Sequence, residues 1–81
     1  MFNILVADDV ANIRRLYEYT LEKNGFKVFS AENGEMALDI IEKQHIDLMI
    51  LDVMMPKKDG YEVLKTLRES GSSLPVLIIT A

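Results

Sequence analysis

The sequence predicts an α/β fold in which helices cover a parallel β-sheet. Four short apolar runs divide the chain of 81 residues, and three amphipathic helical segments lie between them. Three of the four runs are continuous rather than alternating, which is typical of strands covered on both faces. Because strands that alternate with helices form parallel sheets through right-handed crossovers, we expect a doubly wound parallel sheet.

The predicted strands are the apolar runs themselves. The second run covers residues 26–29, and Lys27 makes it more alternating than the others. An alternating run suits a strand with one solvated face, so we predict that this strand lies at an edge of the sheet. The first, third and fourth strands are predicted at residues 4–7, 48–51 and 76–79.

The segments between the runs carry apolar residues at every third or fourth position, which indicates amphipathic helices. Gly25 and Gly71 follow two of these segments and are suited to end them. Asp59 is placed to cap the third helix, and Glu62 stands three residues later, as in a capping box. The predicted helices cover residues 10–23, 35–43 and 60–70.

Composition excludes several classes of protein. The chain has no cysteine, which rules out disulfides and thiolate metal sites. Its net charge of −4 argues against direct binding of nucleic acid. No apolar run approaches the roughly 18–20 residues that span a bilayer, and the N-terminus lacks the pattern of a secretory signal. We therefore expect one small cytoplasmic domain without a membrane segment, in which the single histidine, His45, is solvated rather than catalytic.

Polar side chains follow three of the predicted strands. Asp8 and Asp9 follow the first strand, Asp52 follows the third and Thr80 follows the fourth. Because ligands of open parallel sheets bind beyond the carboxyl ends of the strands, we expect these four residues to converge at one edge. The structural alternative is that each acid caps a helix or lies in a solvated loop, and Asp8 or Asp9 could cap the first helix.

Three carboxylates that lie close together repel one another when all are ionised. A divalent cation would relieve this repulsion, and a site with only oxygen ligands favours Mg²⁺ over Zn²⁺. An aspartate beside such a cation can attack phosphorus and form an acyl phosphate. On this hypothesis Thr80 offers its hydroxyl to a phosphoryl oxygen.

Several stretches of the sequence resemble a response-regulator receiver domain. The most specific is Asp52 with the residues that follow it up to Gly60, Asp-Val-Met-Met-Pro-Lys-Lys-Asp-Gly. The resemblance implies a flavodoxin-like sheet, here truncated to βαβαβαβ, with strand order 2-1-3-4. The other similar stretches are residues 4–9, 13–16, 31–34, 37–38 and 74–81.

The resemblance also implies a role for each matching residue. Asp52 would be the phosphoacceptor, receiving a phosphoryl group from a histidine kinase or a small phosphodonor. Asp8 and Asp9 would hold Mg²⁺, directly or through water, with Asp52 and the backbone carbonyl of Met54 as further ligands. Thr80 would be the switch residue that moves toward the phosphoryl group. Pro56 and Gly60 would shape the loop after Asp52, and the chain would be a signalling domain rather than an enzyme acting on other molecules.

The sequence departs from the family pattern at its C-terminal end. The family continues with a further helix, strand and helix and with a lysine at the end of that strand, whereas this sequence stops one residue after Thr80. We therefore expect residues 1–81 to form a truncated receiver domain whose fourth strand is an open edge. The expected consequence is poor folding, or a homodimer or higher oligomer that forms through this edge.

Two other functions compete with phosphoryl acceptance. The chain could be a truncated, self-associating structural fragment with little or no competence for phosphorylation. A phosphatase that uses an aspartate nucleophile fits less well, because it would need a second acid two residues after the nucleophile, where Met54 stands.

Overall fold

The computed structural model describes residues 1–79, and these form the α/β fold that the sequence predicts. The four strands make one parallel sheet in the order β2-β1-β3-β4, and α1, α2 and α3 connect them. None of the helices in this range has the length and apolarity needed to cross a membrane. In chain order the elements are β1 (Asn3–Ala7), α1 (Ala11–Lys23), β2 (Lys27–Ala31), α2 (Gly34–Lys43), β3 (Leu48–Asp52), α3 (Gly60–Glu69) and β4 (Val76–Ile79).

The register of the sheet aligns the carboxyl ends of the strands. Ala7, the last residue of β1, pairs with Ala31 of β2 and with Leu51 of β3. The backbone N–H of Asp8 then donates to the carbonyl of Ala31 at 3.1 Å, which extends this alignment by one residue. On the other side of β3, Asp52 pairs with Ile79. The residues that follow β1 and end β3 therefore meet at the same edge of the sheet.

Each face of the sheet has its own apolar core. One core lies under α2 and α3, where Leu5, Met49 and Leu51 of the sheet pack against side chains such as Val63. The other lies under α1 and contains Ile4, Val6 and Ile50, with Tyr17 and Leu21 of α1 packed against them. Residues on β1 and β3 are apolar on both sides because helices cover both sides, which explains their continuous apolar runs.

The structure corrects the second predicted strand. β2 covers Lys27–Ala31, whereas the apolar pattern predicted residues 26–29. Ser30 and Ala31 carry little apolar signal, but they pair with Val6 and Ala7 of β1, and that backbone pairing extends the strand. β2 does lie at an edge of the sheet, as its alternating pattern predicted.

Two of the three helices begin with side-chain caps. Asn33 caps α2 by accepting a hydrogen bond from the Met36 N–H at 2.9 Å. Asp59 and Glu62 form the predicted capping box at the start of α3. α1 differs, because its N-cap is Val10 and no side chain caps it. The alternative that Asp8 or Asp9 serves as the cap of α1 is therefore wrong.

A small polar cluster ties the start of β1 to the segment before β3. Asp47 accepts a hydrogen bond from the Asn3 N–H at 2.8 Å, and its other carboxylate oxygen lies 2.8 Å from Nε2 of His45. The backbone N–H of Asn3 is the main reason that the pKa of Asp47 lies below its ordinary value, and the side chain of His45 lowers this pKa further. The backbone carbonyl of His45 also accepts from the side-chain amide of Asn3 at 2.6 Å. The imidazole of His45 is exposed, which agrees with the solvated role expected from the sequence.

β4 is an open edge of the sheet in the described part of the chain. The carbonyls of Pro75 and Ile79 accept from the N–H groups of Met49 and Val53 at 3.0 and 3.4 Å, so alternate residues of β4 face β3. The backbone groups of the residues between them point away from the sheet. Leu77 is also 55% exposed and Ile78 is 38% exposed, on opposite faces of the strand. Within residues 1–79, β4 therefore lies at an edge of the sheet, in the strand order 2-1-3-4 that the resemblance implies.

Candidate functional site

Three carboxylates meet at the carboxyl edge of the sheet. Asp8 and Asp9 follow β1 and Asp52 ends β3, and one carboxylate oxygen from each lies within 4.8 Å of the others. Because β1 and β3 are hydrogen-bonded neighbours in register, Asp8 and Asp52 are side by side although they are far apart in sequence. The convergence that the sequence predicted for these three acids is confirmed. Thr80, the fourth predicted member, lies outside the described residues.

The three acids differ in exposure. Asp8 is 4% exposed and Asp52 is 8% exposed, whereas Asp9 is open to solvent. Charged carboxylates are seldom buried to this extent unless a partner compensates them. Within residues 1–79, no lysine or arginine side chain forms an ion pair with any of the three. The two buried carboxylates therefore face the exposed one without a protein cation between them.

Backbone amides orient both buried carboxylates. Oδ1 of Asp8 accepts from the N–H of Val10 at 2.9 Å, and Oδ1 of Asp52 accepts from the N–H of Met54 at 3.1 Å. Each bond runs from a carboxylate to the amide two residues later, which is the geometry of an Asx turn. These turns fix the direction of each carboxylate at the point where its strand ends.

Burial is the largest influence on Asp8 and raises the pKa of that carboxyl above its ordinary value. The N–H of Val10 opposes this rise, while the nearby charges of Asp52 and Asp9 reinforce it. The Arg14 charge lowers the pKa again by a smaller amount. The protein thus holds Asp8 where its ionised form is disfavoured, and the neighbouring carboxylates are one of the reasons.

This donor set fits a hard divalent cation. All the side-chain donors are carboxylate oxygens, which Mg²⁺ prefers, and no sulfur or imidazole ligand lies in the cluster. A bound cation would also offset the repulsion that raises the pKa of Asp8. Met54, the predicted donor of a backbone carbonyl, stands next to the Asp52 carboxylate because its own amide binds Oδ1 of that residue.

The loop between β3 and α3 forms one wall of the site. Gly60 lets this loop close tightly, because a β-carbon at that position would lie 2.6 Å from the carbonyl oxygen of Asp52. The N–H of Gly60 also donates to the carbonyl of Val53 at 3.2 Å. Beside Asp9 the loop borders an open groove of about 430 Å³, and Met54, one of the residues that line it, is 71% exposed. The side of the cluster that Asp9 forms is therefore open to solvent.

Arg14 is a residue of the site that the sequence analysis did not single out. Its Nη1 atom donates to the backbone carbonyl of Asp8 at 2.7 Å, which fixes the turn that carries Asp8 and Asp9. The only sequence signal for this contact is a basic residue in the first turn of the helix that follows the two acids. That signal is weak, because basic residues on exposed helix turns are common.

Removing the charge of Asp8 should raise the stability of the metal-free chain and lower its affinity for Mg²⁺. In Asp8→Asn the amide oxygen can still accept from Val10, but the buried charge is gone, so we expect the free energy of unfolding without metal at pH 7 to rise by about 1 kcal/mol. Affinity for Mg²⁺ should fall by roughly 100-fold, because one of the three carboxylates that would hold the cation is removed. Urea unfolding in EDTA and in Mg²⁺ measures both.

The stability of the metal-free chain should also depend on pH through Asp8. Since the pKa of Asp8 is higher in the folded chain than the ordinary 3.8, the folded state holds the proton more tightly than the unfolded state. Stability without metal should therefore fall as pH rises from about 3.8 through the folded pKa, and Asp8→Asn should lack that fall. Asp39→Asn, at an exposed acid, is the matched control. An equal response of both variants to Mg²⁺ would contradict the assignment of Asp8.

Comparisons with known proteins show which family this chain resembles. The family model described as response regulator receiver domain matches residues 4–81. The alkaline phosphatase synthesis transcriptional regulatory protein PhoP of Bacillus subtilis is 47% identical over 78 residues, which are 96% of this chain and 32% of PhoP. The chain thus spans about a third of the length of that relative.

Solved structures share the fold of the described residues. The receiver domain of Francisella response regulator 1452 superposes with a TM-score of 0.96 at 36% identity, and the match covers 100% of this chain and 67% of that one. The response regulator TrrA of Thermotoga maritima, solved in complex with Mg²⁺-BeF, gives a TM-score of 0.93 at 40% identity, covering 100% of this chain and 70% of that one. The sheet order and the helix placement are therefore those of the matched family.

Proposed function

We propose that this chain, which belongs to the family of response regulator receiver domains, accepts a phosphoryl group on Asp52. The observation that carries the proposal is the cluster of Asp8, Asp9 and Asp52 at the carboxyl edge of the sheet. Asp52 is the member of the cluster that ends a central strand and is oriented by an amide, so its reactive oxygen has a fixed position. The proposed donors are a histidine kinase and small phosphodonors.

The proposed reaction transfers a phosphoryl group without a net proton transfer when the donor is acetyl phosphate. A carboxylate oxygen of Asp52 forms a bond to phosphorus, the bond from phosphorus to the acetyl oxygen breaks, and acetate leaves with that electron pair. The amide of Met54 holds Oδ1 of Asp52, which leaves Oδ2 as the atom that attacks. Mg²⁺ in the site would neutralise charge on the phosphoryl oxygens.

Mg²⁺ dependence is part of the proposal. It is supported by the three converging carboxylates, by the raised pKa of Asp8, and by the solved TrrA relative, whose structure is a complex with Mg²⁺-BeF. Asp8 and Asp9 would hold the cation together with Asp52 and the carbonyl of Met54. The test is labelling of the chain by acetyl phosphate with and without Mg²⁺, in the unmodified chain and in Asp52→Asn.

A second candidate behaviour is self-association through the edge of β4. We propose that two copies of the chain pair their β4 strands antiparallel, which gives a closed two-fold dimer with one continuous sheet. Within residues 1–79 no strand pairs with the outer side of β4, and this open side supports the pairing together with the exposed side chains of Leu77 and Ile78. On this proposal the chain can act as a self-associating structural fragment whether or not Asp52 is phosphorylated.

A charge on the β4 edge should weaken this association. Leu77→Lys places an ammonium group on an already exposed position, so we expect the dimer dissociation constant to rise at least tenfold with little loss of stability. Leu16→Lys, at an exposed position on α1, should leave the dimer unchanged. Sedimentation velocity at about 50 µM measures both. A well-folded monomer of the unmodified chain at that concentration would disprove the pairing.

A further inference from the structure

The first residue of α2 packs directly against the loop that carries Met54. Gly34 is buried, and a β-carbon on it would overlap the carbonyl oxygen of Lys58. The same β-carbon would lie 2.8 Å from the carbonyl carbon of Lys58 and 2.7 Å from Cγ2 of Val63. The tightest of these contacts is with backbone, which cannot turn away as a flexible side chain can. Only a glycine lets α2 and this loop approach so closely.

Backbone conformation is not what requires a glycine at this position. The glycines with positive φ are Gly25 and Gly71, and Gly34 is not among them. Asn33 caps α2 in the ordinary way, so Gly34 lies in the first turn of a regular helix. An alanine could therefore adopt the backbone of Gly34, and the obstacle to it is the contact with Lys58.

The loop that contacts Gly34 has little room to move without disturbing the site. It begins at Val53, whose carbonyl is held by Gly60, and it ends at Asp59, which caps α3. Between these points Met55 is buried in the core under α2 and α3, and Lys57 has a φ of 66°, in the left-handed region. Because the segment between these anchors is short and includes Met54, a displacement of Lys58 should also move Met54.

We propose that Gly34 is a positioning residue for the Asp52 site. By allowing α2 to seat against Lys58, it holds the loop where the Met54 amide binds Oδ1 of Asp52. The role of Gly34 rests on the proposed function of Asp52, but it concerns the position of the loop and is measured without phosphorylation. A failure to label Asp52 would therefore disprove the proposed function without deciding the role of Gly34, which is tested separately.

Gly34→Ala tests this role through Mg²⁺ binding and through the Met54 amide. We expect the dissociation constant for Mg²⁺, from titration followed by amide NMR, to rise roughly tenfold. The Met54 amide resonance should also shift in the metal-free chain, because its bond to Asp52 is disturbed. Gly25→Ala is the matched control: its φ is 90° and nothing lies within 4 Å of its β-carbon, so it should cost stability without changing Mg²⁺ affinity.

A rescue variant separates positioning from folding. Lys58 contributes backbone atoms to the contact, so Lys58→Gly gives the loop freedom to yield to a β-carbon at position 34. The double variant Gly34→Ala with Lys58→Gly should recover part of the lost Mg²⁺ affinity, and it should fold if the single variant does not. A Gly34→Ala chain that binds Mg²⁺ within twofold of the unmodified chain overturns the proposal. Failure of both variants to fold also overturns it, because Gly34 would then serve the packing of α2 alone.

Discussion

Replacing Asp52 by asparagine is expected to abolish phosphorylation of the chain by acetyl phosphate. The amide of asparagine has the shape of the carboxylate and can keep the bond to the Met54 N–H, but its oxygen is too weak a nucleophile to attack phosphorus. We expect the labelling rate to fall at least 100-fold, with the fold preserved. Intact-mass spectrometry after incubation with Mg²⁺ and acetyl phosphate measures the added phosphoryl group.

Two controls make the Asp52 experiment specific. Glu42→Gln removes an exposed charge from α2 and should be labelled at the rate of the unmodified chain. The label should also be released by hydroxylamine, which cleaves an acyl phosphate but not a phosphate ester. Labelling that persists in Asp52→Asn, or that is unaffected when EDTA removes the metal, would rule out the proposed site.

Truncating Leu51 is expected to have the largest effect on stability. Leu51 is fully buried in the core under α2 and α3, and β3 places it between Ala7 of β1 and Ile78 of β4. Leu51→Ala should lower the free energy of unfolding by about 2–5 kcal/mol, because a cavity remains next to the sheet. A chain of this length has a total stability of about 4–12 kcal/mol, so the variant should lose a large share of its stability and would be largely unfolded at the low end of this range.

The expected loss depends on burial rather than on the type of residue changed. Leu16→Ala makes the same substitution at an exposed position of α1, where alanine also favours the helix, and it should change stability by less than about 0.5 kcal/mol. Urea unfolding followed by circular dichroism compares the two variants. Similar midpoints for Leu51→Ala and the unmodified chain would show that β3 is not at the centre of the fold.

Prediction from sequence succeeded where a pattern has a direct physical cause. Continuous apolar runs at β1 and β3 follow from cover on both faces, and the predicted bounds of β1, β3 and β4 came within one residue of the structure. The cover on both faces that was expected for β4 is wrong, because Leu77 and Ile78 are exposed on opposite faces of that strand. The capping box of Asp59 and Glu62 is a local arrangement, so four consecutive residues were enough to predict it. β2 was less well predicted, because Ser30 and Ala31 are in the strand through pairing with β1 rather than through their own character.

The sequence by itself determined the fold class, the alternation of strands and helices, and the three acids that meet at one edge of the sheet. These follow because strand ends in a parallel sheet are aligned by chain direction, so Asp8, Asp9 and Asp52 are brought together by topology alone. Only the tertiary structure decided which acids are buried, how amides orient them and which residues support them. Contacts such as Gly34 with Lys58 depend on how closely a helix seats against a loop, and that distance is set by the packing of the whole core.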